Sequence, residues 1–389
     1  LALSVIKGEI MKSVMMMATA VTALLTTEIA DCSRRTGGDA YRGDGDETAD
    51  CSRAPGSLVI DGDPSSVSIP DCVKMLTERC FEGRDVSVVV FGPDSQLTNI
   101  GRYAFRRSLL RSIDLPSSVE FLKDGCFYNC SSLVSITFAS RLRVIGGEAF
   151  RYCSSLEAIC ISPSVEILER SCFSDCESLN VVDFAPGSQL RTIGGEAFSD
   201  CSSLESIDLP SSVERFGIGC FAGCRSLVRV TFAPGSQLTE VGPSAFSRCL
   251  SLGSISLPHG VGVLGRECFS GCAKLKAVAF ESESQLTKIG ADAFNGCSSL
   301  RSICFPPSVE EIGERCFENC GALSAVVFEP DSQLTRVDYV FRGCSSLHRI
   351  TFMSDPRLIT IPALQRALPY DVEVVCGDKL YPARKFRIP

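Results

Sequence analysis

The chain has 389 residues, 45% of them hydrophobic, with 22 cysteines, no tryptophan and a formal net charge of −8. That acidic balance excludes nonspecific nucleic-acid binding, which needs a basic stripe to neutralise phosphates. The apolar content suffices for a sizeable core, and the aromatic choice, 23 Phe against 7 Tyr, points to one core column that dictates the residue.

Residues 1–30 contain an apolar stretch, Val14 to Leu25, behind Met11 and Lys12. It is too short for a membrane span and long enough for the apolar region of a secretory signal; the other reading is a plain leader. Residues 31–65 read as a flexible linker and N-terminal cap, rich in Gly, Asp, Arg and Thr, with Ala30–Arg34 repeated identically at Ala49–Arg53. Asp44, Asp46 and Glu47 lack the ligand register of a calcium loop.

Residues 66–352 form an array. A phenylalanine returns every 22 to 25 residues, at Phe81, Phe105, Phe127, Phe150, Phe173, Phe198, Phe221, Phe246, Phe269, Phe294, Phe317 and Phe341. Such a period marks a solenoid whose units touch only their neighbours and present an extended surface. Two half-repeats alternate, one reading IGGEAF at Ile193–Phe198 and the other GIGCF at Gly217–Phe221, so the unit of duplication is the doublet. Ile207 and Leu209 flank Asp208 with the alternation of a short strand. Ile193, Ala197, Phe198, Cys201 and Leu204 have offsets that suit one or two turns of helix, entered through Gly194. The expected fold is therefore an α/β solenoid of about a dozen units, with one long parallel sheet on one face and short helical turns on the other.

These residues resemble the BspA-like leucine-rich repeats, whose units read approximately LxxIxIPxSVxxIGxxAFxxCxx. Clear copies are LESIDLPSSVE at Leu204–Glu214 and LRSICFPPSVEEIG at Leu300–Gly313, and the resemblance runs from about Ser66 to Phe352. It implies a right-handed leucine-rich-repeat superhelix, displayed at the surface of microbes or parasitic protists and used for adhesion to host proteins or cells.

Residues 353–389 break the pattern with five prolines, and Ile359–Leu368 and Val372–Cys376 read as an atypical cap followed by a basic tail. The cysteines follow the repeat. One column lies three residues after the Phe (Cys130, Cys153, Cys176, Cys201, Cys224, Cys249, Cys272, Cys297, Cys320, Cys344), and a second precedes it (Cys126, Cys172, Cys220, Cys268, Cys316). The CFxxC spacing places both inward and differs from zinc knuckles, so buried free thiols are expected and no metal or other cofactor. Cys32 and Cys51 are the candidates for a disulfide in a secreted chain.

Catalysis finds no constellation: His259 sits in a Pro-His-Gly turn and His348 at a strand start, neither with triad partners in view. The expected role is protein binding through the exposed side of the sheet. Small residues dominate there, and charges segregate: Glu157, Asp183, Glu205 and Asp208 in the first half, Arg229, Lys276, Arg301 and Arg349 in the second. A protein ligand with complementary charge is the expected partner, with the module at the cell surface or secreted; the rival reading is a cytoplasmic scaffold or the targeting region of a larger signalling protein.

Overall fold

Each repeat has too little apolar material to close a core alone, so its Leu, Ile and Phe must be covered by the repeats before and after it. The computed structural model describes residues 65–337, 339–353, 372–377 and 379–382, all within the unit Glu47–Pro389. The leader, the 31–64 part of the linker, Cys32 and Cys51, and the Ile359–Leu368 cap segment lie outside the described residues.

The chain winds as a parallel β-solenoid in which every rung contributes a longer strand and a two-residue strand. In the rung through Phe198, Thr192–Ile193 is the short strand and Ser206–Leu209 the long one. Long strands alternate as expected: Ile207 and Leu209 are buried, Ser206 and Asp208 face outward. The core is a continuous stripe whose centre is the phenylalanine column. From Phe81 to Phe317 successive rings stack at centroid distances of 5.1–5.5 Å, with Phe341 a further 5.9 Å on.

Two expectations are corrected. First, no helix occurs among the described residues. In the Gly194–Cys201 turn, alternate N–H groups leave the rung: Glu196, Phe198 and Asp200 each donate to the next rung, to the carbonyls of Ile218, Cys220 and Ala222 at 2.8 Å. Ala197, Ser199 and Cys201 donate back three residues instead. Glu196 and Asp200 reach this geometry through left-handed φ of 58° and 57°, which no α-helix tolerates. The same spacing that suits a helical face thus comes from tight turns whose donors are shared with the neighbouring rung.

Second, the long strands do not make one sheet. The two-residue strands do, in an unbroken twelve-stranded ladder from Met75–Leu76 to Arg336–Val337. The long strands fall into five blocks, and rung length decides where. Neighbouring long strands that start 22 or 23 residues apart are all paired; those 25 apart, such as Val181–Phe184 and Ser206–Leu209, are all unpaired. Of the three 24-residue steps, Val88 to Ser112 is open, while Ala325 to Arg349 and Arg349 to Glu373 are paired. The added residues sit in protruding turns, including Ala185–Ser188 and Ala233–Ser236, which displace one long strand from the next. At the far end Glu373–Cys376 pairs in parallel with Arg349–Phe352 and antiparallel with Lys379–Pro382.

The glycine after the inward residue of the short strand, such as Gly217 after Phe216, proves to serve rung spacing rather than helix entry. A Cβ at Gly217 would lie 2.2 Å from the Gly195 nitrogen of the preceding rung.

The first cysteine column has a role beyond packing. Each thiol from Cys130 to Cys344 donates to the carbonyl of a Phe at 3.0–3.2 Å, as Cys224 does to Phe198. Both columns are buried free thiols, whereas Cys72, Cys160 and Cys304 are exposed and Cys80 is disulfide-bonded. Burial is outweighed at Cys130 by hydrogen bonds with Cys153 and Ser108, which leave that thiol lowered; it pushes the other column thiols up, Cys272 and Cys344 to about 12. Because their folded pKa exceeds the unfolded one near 8.5, their contribution is complete below that value and is lost as pH rises toward 12. The urea midpoint is therefore expected to fall between pH 8 and pH 10, and a thiol dye at pH 8 to modify Cys72, Cys160 and Cys304 before any column cysteine. Rapid native labelling of the columns, or a midpoint that does not move, contradicts the buried-donor assignment.

Candidate functional site

The outward positions of the long strands form the candidate surface. Each rung offers the residue before the strand, its first residue and its third; the second and fourth point inward or are partly covered. Cross-strand register brings Ser206 beside Arg229, Ser254 beside Ala277, and Ser302, Ala325, Arg349 and Glu373 into one row. The third-position row contains Asp208 beside Thr231, Ser256 beside Ala279, and Cys304 beside Val327. Small side chains dominate both rows, leaving a low-relief face.

The eight charged residues singled out in the sequence lie on this face. Glu157, Glu205, Lys276 and Arg301 immediately precede strands, Arg229 and Arg349 open them, and Asp183 and Asp208 hold third positions. All are exposed except the half-buried Asp183. Their segregation is incomplete, since the boundary pair is internal: the Arg229 guanidinium lies 3.6 Å from Asp208, whose carboxylate also accepts from the Thr231 hydroxyl. Arg349 likewise meets Glu373 at 3.3 Å. Such exposed pairs contribute about 0–1 kcal/mol each, so they adjust local potential more than stability. Glu157, Asp183 and Glu205 on one side, and Lys276 and Arg301 on the other, have no ion-pair partner within 4 Å among the described residues.

Two thiols share the face. Cys160 and Cys304 are raised by burial first, then by Asp183 and Glu329 respectively, which keeps them protonated and poorly nucleophilic. Of the two histidines, His259 Nδ1 is 3.9 Å from Glu281, and His348 Nδ1 is 3.1 Å from the Ser346 carbonyl. No group of three or more metal-ligating side chains occurs among the described residues.

Two further charged features escaped the sequence reading. The twelve-stranded ladder carries alternating ion pairs, Arg143–Glu166 at 2.9 Å, Arg191–Glu214 at 2.8 Å, and Glu311 between Lys288 and Arg336 at 3.1 and 3.2 Å. On the turns of the first rungs, Tyr103, Tyr128 and Tyr152 pack edge to face at 6.3 and 5.6 Å. Arg106 lies over both Tyr103 and Tyr128 while pairing with Glu82 at 2.6 Å. The signal for the ion ladder was present as opposite charges 23 or 25 residues apart, but it becomes visible only once the short strands are known.

The architecture is shared with a solved protein. A leucine-rich repeat protein from Bacteroides ovatus matches with a TM-score of 0.66 over 80% of this chain and 83% of its own, at 23% identity. The T. pallidum leucine-rich repeat protein is 29% identical over 51% of this chain and 86% of its own, with a TM-score of 0.40. A leucine-rich cell surface protein from Faecalibacterium prausnitzii is 21% identical over 76% and 90%, with a TM-score of 0.37. Among curated proteins none matches. The family model for the BspA-type leucine-rich repeat region matches six copies across residues 63–180, 180–285 and 265–365, nearly the whole array. With its stacked phenylalanines, paired half-repeats and thiol column, this chain belongs to the BspA-type leucine-rich repeat family.

Proposed function

We propose that the array is a protein-binding module that engages its partner along the outward face of the long strands and acts in adhesion, at the cell surface or after secretion. Leucine-rich repeats of this family generally serve as protein-interaction modules. The observation that carries the choice of face is the pairing of low relief with unpartnered charge: Glu157, Asp183 and Glu205 toward one end, Lys276 and Arg301 toward the other. Complementary potentials of this kind set orientation and association rate even where single contacts add little affinity. The disulfide at Cys80 fits an oxidising compartment. The free thiols of both columns favour the second reading, an intracellular scaffold or the targeting region of a larger protein. Cleavage of the leader near Asp31 on export would decide for adhesion.

The test is affinity capture with residues 66–389, followed by kinetics on the captured protein. Reversing Lys276 and Arg301 to Glu is expected to slow association by about tenfold at low salt, with the effect shrinking as salt rises. The same change at Arg225 and Arg248, exposed cations away from this face that have no ion-pair partner among the described residues, is expected to leave the rate within about twofold. Equal effects from the two sets would remove the sheet face as the recognition surface.

A further inference from the structure

The doublet leaves a consequence on the molecular surface that one half-repeat alone would not. The last residue of each long strand alternates in size along the central array: Phe184, Leu209, Phe232, Leu257, Phe280. Leu209 is buried below its neighbours, while Phe184 and Phe232 are only half-buried. The 25-residue rungs on either side also carry the protruding Ala185-Pro186-Gly187-Ser188 and Ala233-Pro234-Gly235-Ser236 turns, with left-handed glycines at φ 77° and 74°. The shorter rung between them turns directly at Pro210. The result is a notch of about 500 Å³ walled by Phe184, Pro186, Phe232 and Pro234, floored by Leu209 and Pro210, and edged by Ser188, Ser211, Thr231 and Asp208.

At the equivalent place one doublet later, beside Leu257, a charged side chain bridges the turns. There Glu281 bends back to accept from the His259 N–H at 3.1 Å and lies 3.9 Å from the His259 ring. Among the described residues the dent at Leu209 has no such bridge: its flanking turns are Pro-Gly and bring no charged side chain. Its walls are apolar and aromatic, and its one charged edge is anionic. Asp208 stands there, and Asp183 holds the same strand position one rung earlier. Arg229 approaches Asp208 from the side at 3.6 Å, an ion-pair distance, so this carboxylate already attracts one cation in its present orientation.

We propose that this notch receives a lysine or arginine side chain from an extended segment of a protein partner, the aliphatic stem lying between Phe184 and Phe232 and the cationic head at Asp208. Long basic side chains pack their stems on apolar surface while keeping the head in water, and aromatic faces add attraction for the cation. The inference rests on the protein-binding reading and names the partner's chemistry at one point of it: a basic residue opposite the acidic end of the face.

The test uses the full chain and Nα-acetyl-arginine N-methylamide as the probe, followed by saturation-transfer NMR. Nα-acetyl-norvaline N-methylamide and N-acetylglucosamine serve as comparisons. The arginine probe is expected to receive transfer at its side-chain methylenes, to bind at least about threefold more weakly to Asp208→Asn, and to lose binding to Ser211→Trp, which fills the notch. Arg229→Ser removes one internal competitor for Asp208, so it is expected to bind the probe about twofold or more tightly; a gain cannot come from misfolding. Absence of transfer in the wild type, equal binding to wild type and Asp208→Asn, or unchanged binding to Arg229→Ser overturns the proposal. Stronger transfer to N-acetylglucosamine, lost in Ser211→Trp, overturns it in favour of a carbohydrate site. Because Lys276 and Arg301 lie rungs away from the notch, failure here leaves their effect on partner association untouched, and failure there leaves probe binding untouched.

Discussion

Phe221→Ala is expected to cost about 3–5 kcal/mol and to divide the array into two separately melting halves. The ring has no exposed surface and stacks between Phe198 and Phe246, each at 5.4 Å, with Phe216 edge-on at 5.7 Å. No residue from a distant part of the fold can move in to fill the space, because in a solenoid each layer is covered only by its neighbours. Limited proteolysis should cut within the rungs around Phe221 while fragments on both sides persist. The half-buried Phe232 supplies the comparison: its truncation should cost distinctly less and leave the digestion pattern near that of the wild type. An unchanged pattern for Phe221→Ala would show that coupling along the stack is not carried by the rings.

Gly217→Ala is expected to destabilise by about 3 kcal/mol although it adds a single methyl group. That carbon would sit 2.2 Å from the Gly195 nitrogen, 2.6 Å from the Gly194 carbonyl carbon and 2.7 Å from the Gly195 Cα, all main-chain atoms with no rotamer to change. Relief requires the two rungs to separate. The bond from the Gly217 N–H to the Ile193 carbonyl, now 2.8 Å, is the first casualty. Hydrogen exchange at Gly217 and along the adjacent short strands should accelerate in the variant. Gly253→Ala is the control, since nothing lies within 4 Å of its added carbon. If the two variants are equally stable, the glycine after the inward residue is a turn preference and not a spacing requirement.

How much of this was legible depends on whether the determinant lies within one rung. The phenylalanine column, the inward Leu and Ile and the burial of the thiols were readable because the residue types recur at fixed offsets. The turn that resembles a helix was misread for a physical reason. Ile193, Ala197, Phe198 and Cys201 are all buried either way, and sequence does not reveal that Phe198 donates its N–H to Cys220 of the next rung. The short strands were missed because two residues, such as Arg215–Phe216, carry one outward and one inward side chain, too little to establish a period. The surface was readable as a set of positions, yet not as a set of pairs. Asp208 meets Arg229 only because a 23-residue rung puts Ser206 opposite Arg229. The notch required comparing two rung lengths and two residue sizes across three turns at once.

The contrast between the unbroken ladder and the segmented long-strand face also gives the molecule a preferred direction of bending. Flexing that pulls the short strands apart must strain hydrogen bonds along all twelve of them, so that edge behaves as an inextensible spine. Flexing in the opposite sense opens only the four gaps between blocks, where strand pairing is already interrupted. Tension on the array is thus carried by the ion-paired spine, while curvature adjusts by hinging between blocks. A partner that grips both the Ser206–Phe232 and Ser254–Phe280 blocks fixes the hinge between them, and the array stiffens where it is held.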